Sequence, residues 1–147
     1  MPADTKLGPL NELNRITREN RIGDYRSPNL TLGMRPIAFG PGAARWSWTG
    51  QPPAAINPCG TIQGGYIALF IDELFSTAIG SVLEEGEWAV TVEVKISYLR
   101  ALKPGALEGV ANLIRRARTL AFLEARVLEP GGQPAVTASS TWSISRA

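Results

Sequence analysis

The chain has 147 residues, 44% of them hydrophobic and 19% charged, which suits one domain with a core of its own and excludes a charge-driven disordered chain. A net charge of +2 sets up no broad basic face for nucleic acid, although it leaves room for a local basic patch that holds an anion. Histidine is absent and Cys59 is the single cysteine, so Ser-His-Asp and Cys-His catalysis, the usual zinc sites and an intramolecular disulfide are all excluded. The opening MPADTKLGPLNELNR has no apolar stretch of signal-peptide length. The longest strongly apolar run, Tyr66 to Ile71, is far too short to span a bilayer. The expectation is a cytoplasmic protein with no membrane or nucleic-acid partner.

In chain order, Pro9 to Asn20 carries Leu10, Leu13 and Ile16 at helical spacing and predicts a short amphipathic helix. Turn residues around Pro28 and Asn29 end this N-terminal extension, residues 1–29, and the main domain is expected over 30–147. Two short strands follow, Met34–Phe39 and Ala43–Thr49, joined by Gly40-Pro41-Gly42. The second alternates, with Trp46 and Trp48 on one face and Arg45, Ser47 and Thr49 on the other, which places the tryptophans in a core or interface. A Pro/Gly-rich loop runs to Gly60.

Ile62 to Leu83 then reads as one long helix, apolar on nearly every side and therefore interior. Four further strands are expected: Trp88–Tyr98, Ala106–Arg116, Leu120–Leu128 and Pro134–Ser145. Short turns join all four, so they should pair antiparallel in sequence. A sheet with one apolar face needs a cover, and the all-round apolar helix supplies it. The expected class is α+β: a curved antiparallel sheet of about six strands wrapped around one long central helix, a hotdog fold, with a short N-terminal helix.

Asp72 and Glu73 interrupt this apolar helix. Ionised carboxylates are costly to bury unpaired, so two adjacent acids there need a reason. Asp72 aligns with Ala68 and Ser76, a small and polar row that could face a cleft, whereas Glu73 aligns with Leu69 and Thr77. Upstream, Gly60-Thr61-Ile62-Gln63-Gly64-Gly65 offers free N–H groups at a helix start, donors suited to an anion or a developing oxyanion. Arg115, Arg116 and Arg118 form the densest basic cluster, and Arg100 with Lys103 a second one, each suited to phosphate.

The stretch N57-P-C-G60-T-I-Q63-G64-G65-Y-I-A-L-F-I-D72-E closely resembles the N-x-x-G-x-x-H-G-G-x6-D/E motif of PaaI-like hotdog acyl-CoA thioesterases. The similarity continues through T91-V-E-V-K-I-S-Y-L-R-A-L-K-P-G105, the R115-R-A-R118 segment and the E129-P-G-G turn, covering roughly residues 30–145. The resemblance implies hydrolysis of an acyl-CoA thioester to a carboxylic acid and free coenzyme A, with no cofactor beyond the coenzyme A of the substrate and no metal. It assigns Asp72 as general base or nucleophile, Gly64 as the backbone donor that polarises the carbonyl, and Asn57 as a polar aid in placing carbonyl or water. Gln63, Gly65, Glu73 and Ser76 are candidate substrate contacts, and Arg100, Arg116 and Arg118 candidate partners of the coenzyme A phosphates. It further implies a site shared between subunits of a homodimer or a dimer of dimers.

The family's histidine is Gln63 here. An amide keeps donor and acceptor but takes up no proton at neutral pH. The alternative is a non-catalytic acyl-CoA-binding or regulatory hotdog protein. A dehydratase or hydratase is disfavoured by the absence of histidine.

Overall fold

A computed structural model describes residues 9–147, with side chains from Leu13 onward. Residues 1–8 of the N-terminal extension, and the packing of Leu10, lie outside the described residues. Helix α1 spans Pro9–Arg18, and strands β1 (Arg35–Gly40) and β2 (Ala43–Trp48) form a hairpin. Helix α2 spans Gly64–Gly80. Strands β3 (Glu87–Tyr98), β4 (Leu107–Arg116), β5 (Leu120–Leu128) and β6 (Pro134–Arg146) complete one six-stranded sheet, ordered β1-β2-β4-β5-β6-β3. Every neighbouring pair is antiparallel. Strand β3 pairs with β6 and not, as its short link to β4 predicts, with β4, because the chain after Tyr98 crosses the end of the sheet instead of turning back on itself. No helix among the described residues is long and apolar enough to cross a membrane.

The alternation seen in the sequence sorts the two faces. Ala44, Trp46 and Trp48 of β2 point to the helix side and are buried, while Arg45 stays outside and pairs with Glu108 of β4 at 2.8 Å. The indole N–H groups are satisfied inside: Trp46 donates to Thr77 Oγ1 at 3.1 Å, and Trp48 to the carbonyls of Leu32 and Gln51. Burial of α2 is nearly complete, with Ile67, Phe70, Ile71, Leu74, Phe75, Ala78 and Ile79 all in the core. It lies against β4 at Gly109, where a Cβ would stand 2.6 Å from Leu74 Cδ1 and 2.8 Å from Phe70 Cζ. Glycine there sets the distance between helix and sheet.

Both ends of α2 differ from the sequence expectation of Ile62–Leu83. Ile62 is held in a β-bridge with Ile56 and donates to the Leu102 carbonyl at 2.8 Å, so the helix begins at Gly64. At the other end the Ser81 hydroxyl donates to Ala78 or Gly40 carbonyls and accepts the Gly42 N–H at 2.9 Å, tying the helix terminus to the β1–β2 turn. The chain therefore leaves the helix before Glu84.

Strand β3 is an edge with an unusual side-chain pattern. Ala89 and Thr91 sit opposite Ile144 and Trp142, on the helix side of the sheet. Val92 is then an extra residue, and beyond this bulge Val94, Ile96 and Tyr98 occupy the helix side instead. α2 packs on β4, β2 and β5 far more than on β3. Val90, on the outer face, and Val92, at the bulge, are 54% and 60% exposed, while Tyr98, on the inner face that α2 leaves uncovered, is 50% exposed. A twelve-residue apolar edge left open is an invitation to another strand.

Candidate active site

The N-terminus of α2 is built by the loop before it. Asn57 organises that loop: its Oδ1 accepts the N–H groups of Cys59 (2.9 Å) and Thr61 (3.2 Å), and its Nδ2 donates to Thr61 Oγ1 at 2.8 Å. The Asn57 amide thus holds the 57–61 turn rather than pointing at a free ligand position. The Gln63 N–H donates to the Ala55 carbonyl at 2.7 Å, which fixes where α2 starts. Gln63 is the N-cap, but its exposed side chain makes no capping bond. The N–H groups of Gly64 and Gly65 make no hydrogen bond among the described residues. They are the unpaired donors that every helix start leaves, here with the positive end of the helix dipole behind them.

Gly65 has no atom within 4 Å of where a Cβ would stand, whereas a Cβ on Gly64 would touch the Tyr98 ring at 3.5 Å. Tyr98 closes one side, donating its hydroxyl to the Gly64 carbonyl at 2.9 Å. A shallow cleft of about 600 Å³ opens beside the two glycines, bordered by Ile62, Tyr98, Leu99, Arg100 and Ala101. Arg100 is exposed at its rim and makes only long contacts, 3.5 Å each, to Glu129 and Gln133.

Asp72 and Glu73 have opposite surroundings. Asp72 is open to solvent in the protomer, between half-buried Ala68 and Ser76. Partial desolvation by the protein beneath it, and then the charge of Glu73, push its carboxyl above the usual carboxylate range. Glu73 is 4% exposed and faces inward. Ser76, one turn on, donates to the Glu73 carbonyl at 3.1 Å and lies beside Asp72 on the open face.

Gly64 and Asp72 of one protomer are eight residues apart on one helix, about 12 Å at a rise of about 1.5 Å per residue. An oxyanion donor must lie about 3 Å from the carbonyl oxygen, and a base that acts on an attacking water can stand about 3 Å beyond that water. Gly64 and Asp72 thus lie well apart on the same protomer.

The sequence model of the thioesterase superfamily matches residues 59–136, which include the Gly64-Gly65 donors, Asp72 and four of the six strands in whole or part. The chain belongs to the thioesterase superfamily. Among solved structures, this thioesterase-superfamily chain is similar to a phenylacetic acid degradation-related protein from Ralstonia eutropha, with 25% identity over 86% of this chain and 98% of that one, TM-score 0.77. The PaaI protein of the Escherichia coli phenylacetic acid degradation operon shares 17% identity over 94% and 96% of the chains, TM-score 0.77. A thioesterase from Haemophilus influenzae shares 20% over 87% and 88%, TM-score 0.76. A comparison with curated proteins gives no match.

The expected phosphate partners do not come together. Arg100 borders the Gly64–Gly65 cleft, whereas Arg116 and Arg118 line a different one with Glu84, Glu87 and Arg146. Arg116, expected on a phosphate, is held instead by its own fold: it donates to both oxygens of Glu87 at 2.6 and 2.5 Å and to the Val82 carbonyl at 2.7 Å. Its donors face a buried carboxylate, so a phosphate would have to compete with Glu87. Arg118 is exposed.

Tyr25, Ser27, Asn29 and Tyr98 escaped the sequence reading. Tyr25, Ser27 and Asn29 all bond the Glu73 carboxylate, at 2.5 Å for Tyr25 and 2.8 Å for Ser27. The signal that pointed to them was the second acid itself, since a buried Glu demands donors from somewhere.

Proposed function

We propose that this protein hydrolyses acyl-CoA thioesters to a carboxylic acid and free coenzyme A. The observation that supports this reading is the presence of unpaired Gly64 and Gly65 N–H donors and of Asp72 on one helix of a thioesterase-superfamily domain, at a spacing that suits a site shared by two subunits. The thioester carbonyl oxygen sits at the Gly64–Gly65 donors of one subunit, where the helix dipole stabilises the developing oxyanion. Asp72 of the other subunit takes a proton from a water that attacks the carbonyl, or attacks the carbonyl itself to give a mixed anhydride that water then hydrolyses; the C–S bond breaks and coenzyme A leaves as a thiolate that takes up a proton. Partial desolvation and the neighbouring Glu73 raise the proton affinity of Asp72, which suits a base.

The subunits join along β3. Its twelve residues and exposed Trp88, Val90, Val92 and Val94 form a pairing edge, and a second copy would cover the inner-face Ile96 and Tyr98. Asn57 acts by holding the loop, Gln63 and Ser76 border the reacting centre, and Arg100 and Arg118 are the arginines left for coenzyme A phosphates. The homodimer, or a dimer of dimers, is thus the active unit.

A second reading, acyl-CoA binding without turnover, draws on Gln63 in the place of the family's histidine. Thiol release from short, medium-chain and aryl acyl-CoAs, measured for wild type and Asp72→Asn, separates the two. Hydrolysis lost in the variant is expected; binding with no release across the panel supports the binder.

A further inference from the structure

Among the described residues two glutamates are buried, and the protein treats them differently. Glu87 is met by cations: Arg116 and Arg146 both reach its oxygens, at 2.5 and 2.9 Å. Glu73, equally buried, is met among the described residues by neutral donors. The Tyr25 hydroxyl donates to Oε1 at 2.5 Å, the Ser27 hydroxyl to Oε2 at 2.8 Å, and the Asn29 amide also to Oε2. Such donors hold a carboxylate in place without cancelling its charge, and in a low-dielectric setting that charge reaches further than in water.

The cage is rigid and remote in sequence. Tyr25 is wedged edge-on against Phe39 and Trp46, with ring centroids 5.6 Å away in each case. Trp46 in turn donates to Thr77 Oγ1, which donates to the Glu73 carbonyl at 2.8 Å. One turn of α2 is thereby pinned through both the side chain and the carbonyl of Glu73, and Asp72 is the residue beside it.

We propose, resting on the reading of Asp72 as the catalytic acid, that Glu73 is its positioning residue: caged by Tyr25, Ser27 and Asn29, it fixes the helix turn that presents Asp72 and keeps an uncancelled negative charge beside it. The segment around residues 25–29 is then a working part of the site and not an appendage. The effect of the Glu73 charge on its two titratable neighbours agrees with this. The Glu73 charge raises Asp72, after burial, and burial followed by the Glu73 charge drives the Tyr25 hydroxyl far above its ordinary range.

Among the described residues, few other charges bear on the pair. On the strands packed against α2, Arg45, Glu108, Glu124 and Arg126 lie on the outer face of the sheet, as do Glu93 and Lys95 of β3. Arg35 of β1 is exposed and donates to the Leu30 and Met34 carbonyls, and Arg15 and Arg18 of α1 are exposed. Among the described residues, Tyr25 is the titratable group that faces both acids.

The sign follows directly. A like charge favours the protonated form of Asp72, so removing it lets Asp72 ionise at lower pH. The test compares wild type, Glu73→Gln and Ser27→Lys in two measurements: the pH profile of thiol release from an acyl-CoA, and direct titration of the Asp72 carboxyl by carbon-13 NMR. Ser27→Lys places a cation at the half-buried mouth of the cage and leaves Glu73 intact, so it carries the test if Glu73→Gln does not fold. In both variants the acid limb and the Asp72 titration are expected to move to lower pH, with kcat reduced and KM held. An Asp72 titration that stays put in the folded variants overturns the proposal. Full thiol release by Asp72→Asn, with the titration still moving, would instead remove the catalytic reading of Asp72 and leave the coupling standing.

Discussion

Replacing Gly65 by alanine separates the needs of the fold from those of the reaction. A Cβ at Gly65 meets nothing within 4 Å in the protomer, so there is no steric cost to folding. Residue 65 lies in the first turn of α2, where alanine is preferred over glycine by up to about 1 kcal/mol. For a chain of this size that raises Tm by at most about 4 °C. The same methyl projects where a thioester carbonyl or the partner subunit must come close. A displacement of about 1 Å in a reacting group costs on the order of 100-fold in rate. The variant is therefore expected to be at least as stable as wild type by thermal unfolding and to lose about two orders of magnitude in kcat/KM for acyl-CoA hydrolysis. Wild-type activity in the alanine variant would refute the argument that this glycine gives way to substrate.

Gly109→Ala should behave in the opposite way, because its methyl would collide with Leu74 and Phe70 in the core; a loss of about 1–3 kcal/mol is expected in denaturant unfolding. Burial alone would raise Glu87, but the Glu84 N–H with Arg146 and Arg116 outweighs it and holds Glu87 below the usual glutamate range. Its stabilisation is thus complete above the unfolded value near 4.5 and is lost as pH falls through the lower folded value. Glu87→Gln should cost about 2–3 kcal/mol at pH 7, below the range for a fully buried pair because Arg116 is 25% exposed, and the gap to wild type should close in urea unfolding below that range. Arg100→Ala should raise KM for acyl-CoA about tenfold with kcat unchanged, in step with the loss of one charge-assisted phosphate contact, and the effect should fade at high salt.

Much of the fold was legible because the helical and strand periods are strong. The Ala43–Thr49 alternation placed Trp46 and Trp48 inside, and the all-round apolar Ile67–Ile79 segment marked the central helix. The ends of that helix were not legible, since the Ile56–Ile62 bridge and the Ser81 tie to Gly40 and Gly42 are contacts between segments that no local pattern encodes. The bulge at Val92 was hidden for the same reason: alternating valines look identical whether or not the register slips. At the site, the Gly-Gly pair and Asp72 stood out by residue type and spacing. The difference between the two acids did not, because it depends on Tyr25, Ser27 and Asn29, some 44–48 residues upstream in a stretch that reads as an ordinary turn. The pairing of Arg116 with Glu87 was not legible either, because the two lie on different strands.

The two-subunit site can be tested by subunit mixing. Asp72→Asn and Gly65→Ala, each impaired alone, are unfolded together, refolded as a mixture and assayed for thiol release. In a mixed dimer one site carries both lesions and the other carries neither, so random reassortment should restore about a quarter of the wild-type sites. Recovery near that level is the predicted result; a mixture no more active than its two parents would contradict a site in which Gly64 and Gly65 of one subunit face Asp72 of the other.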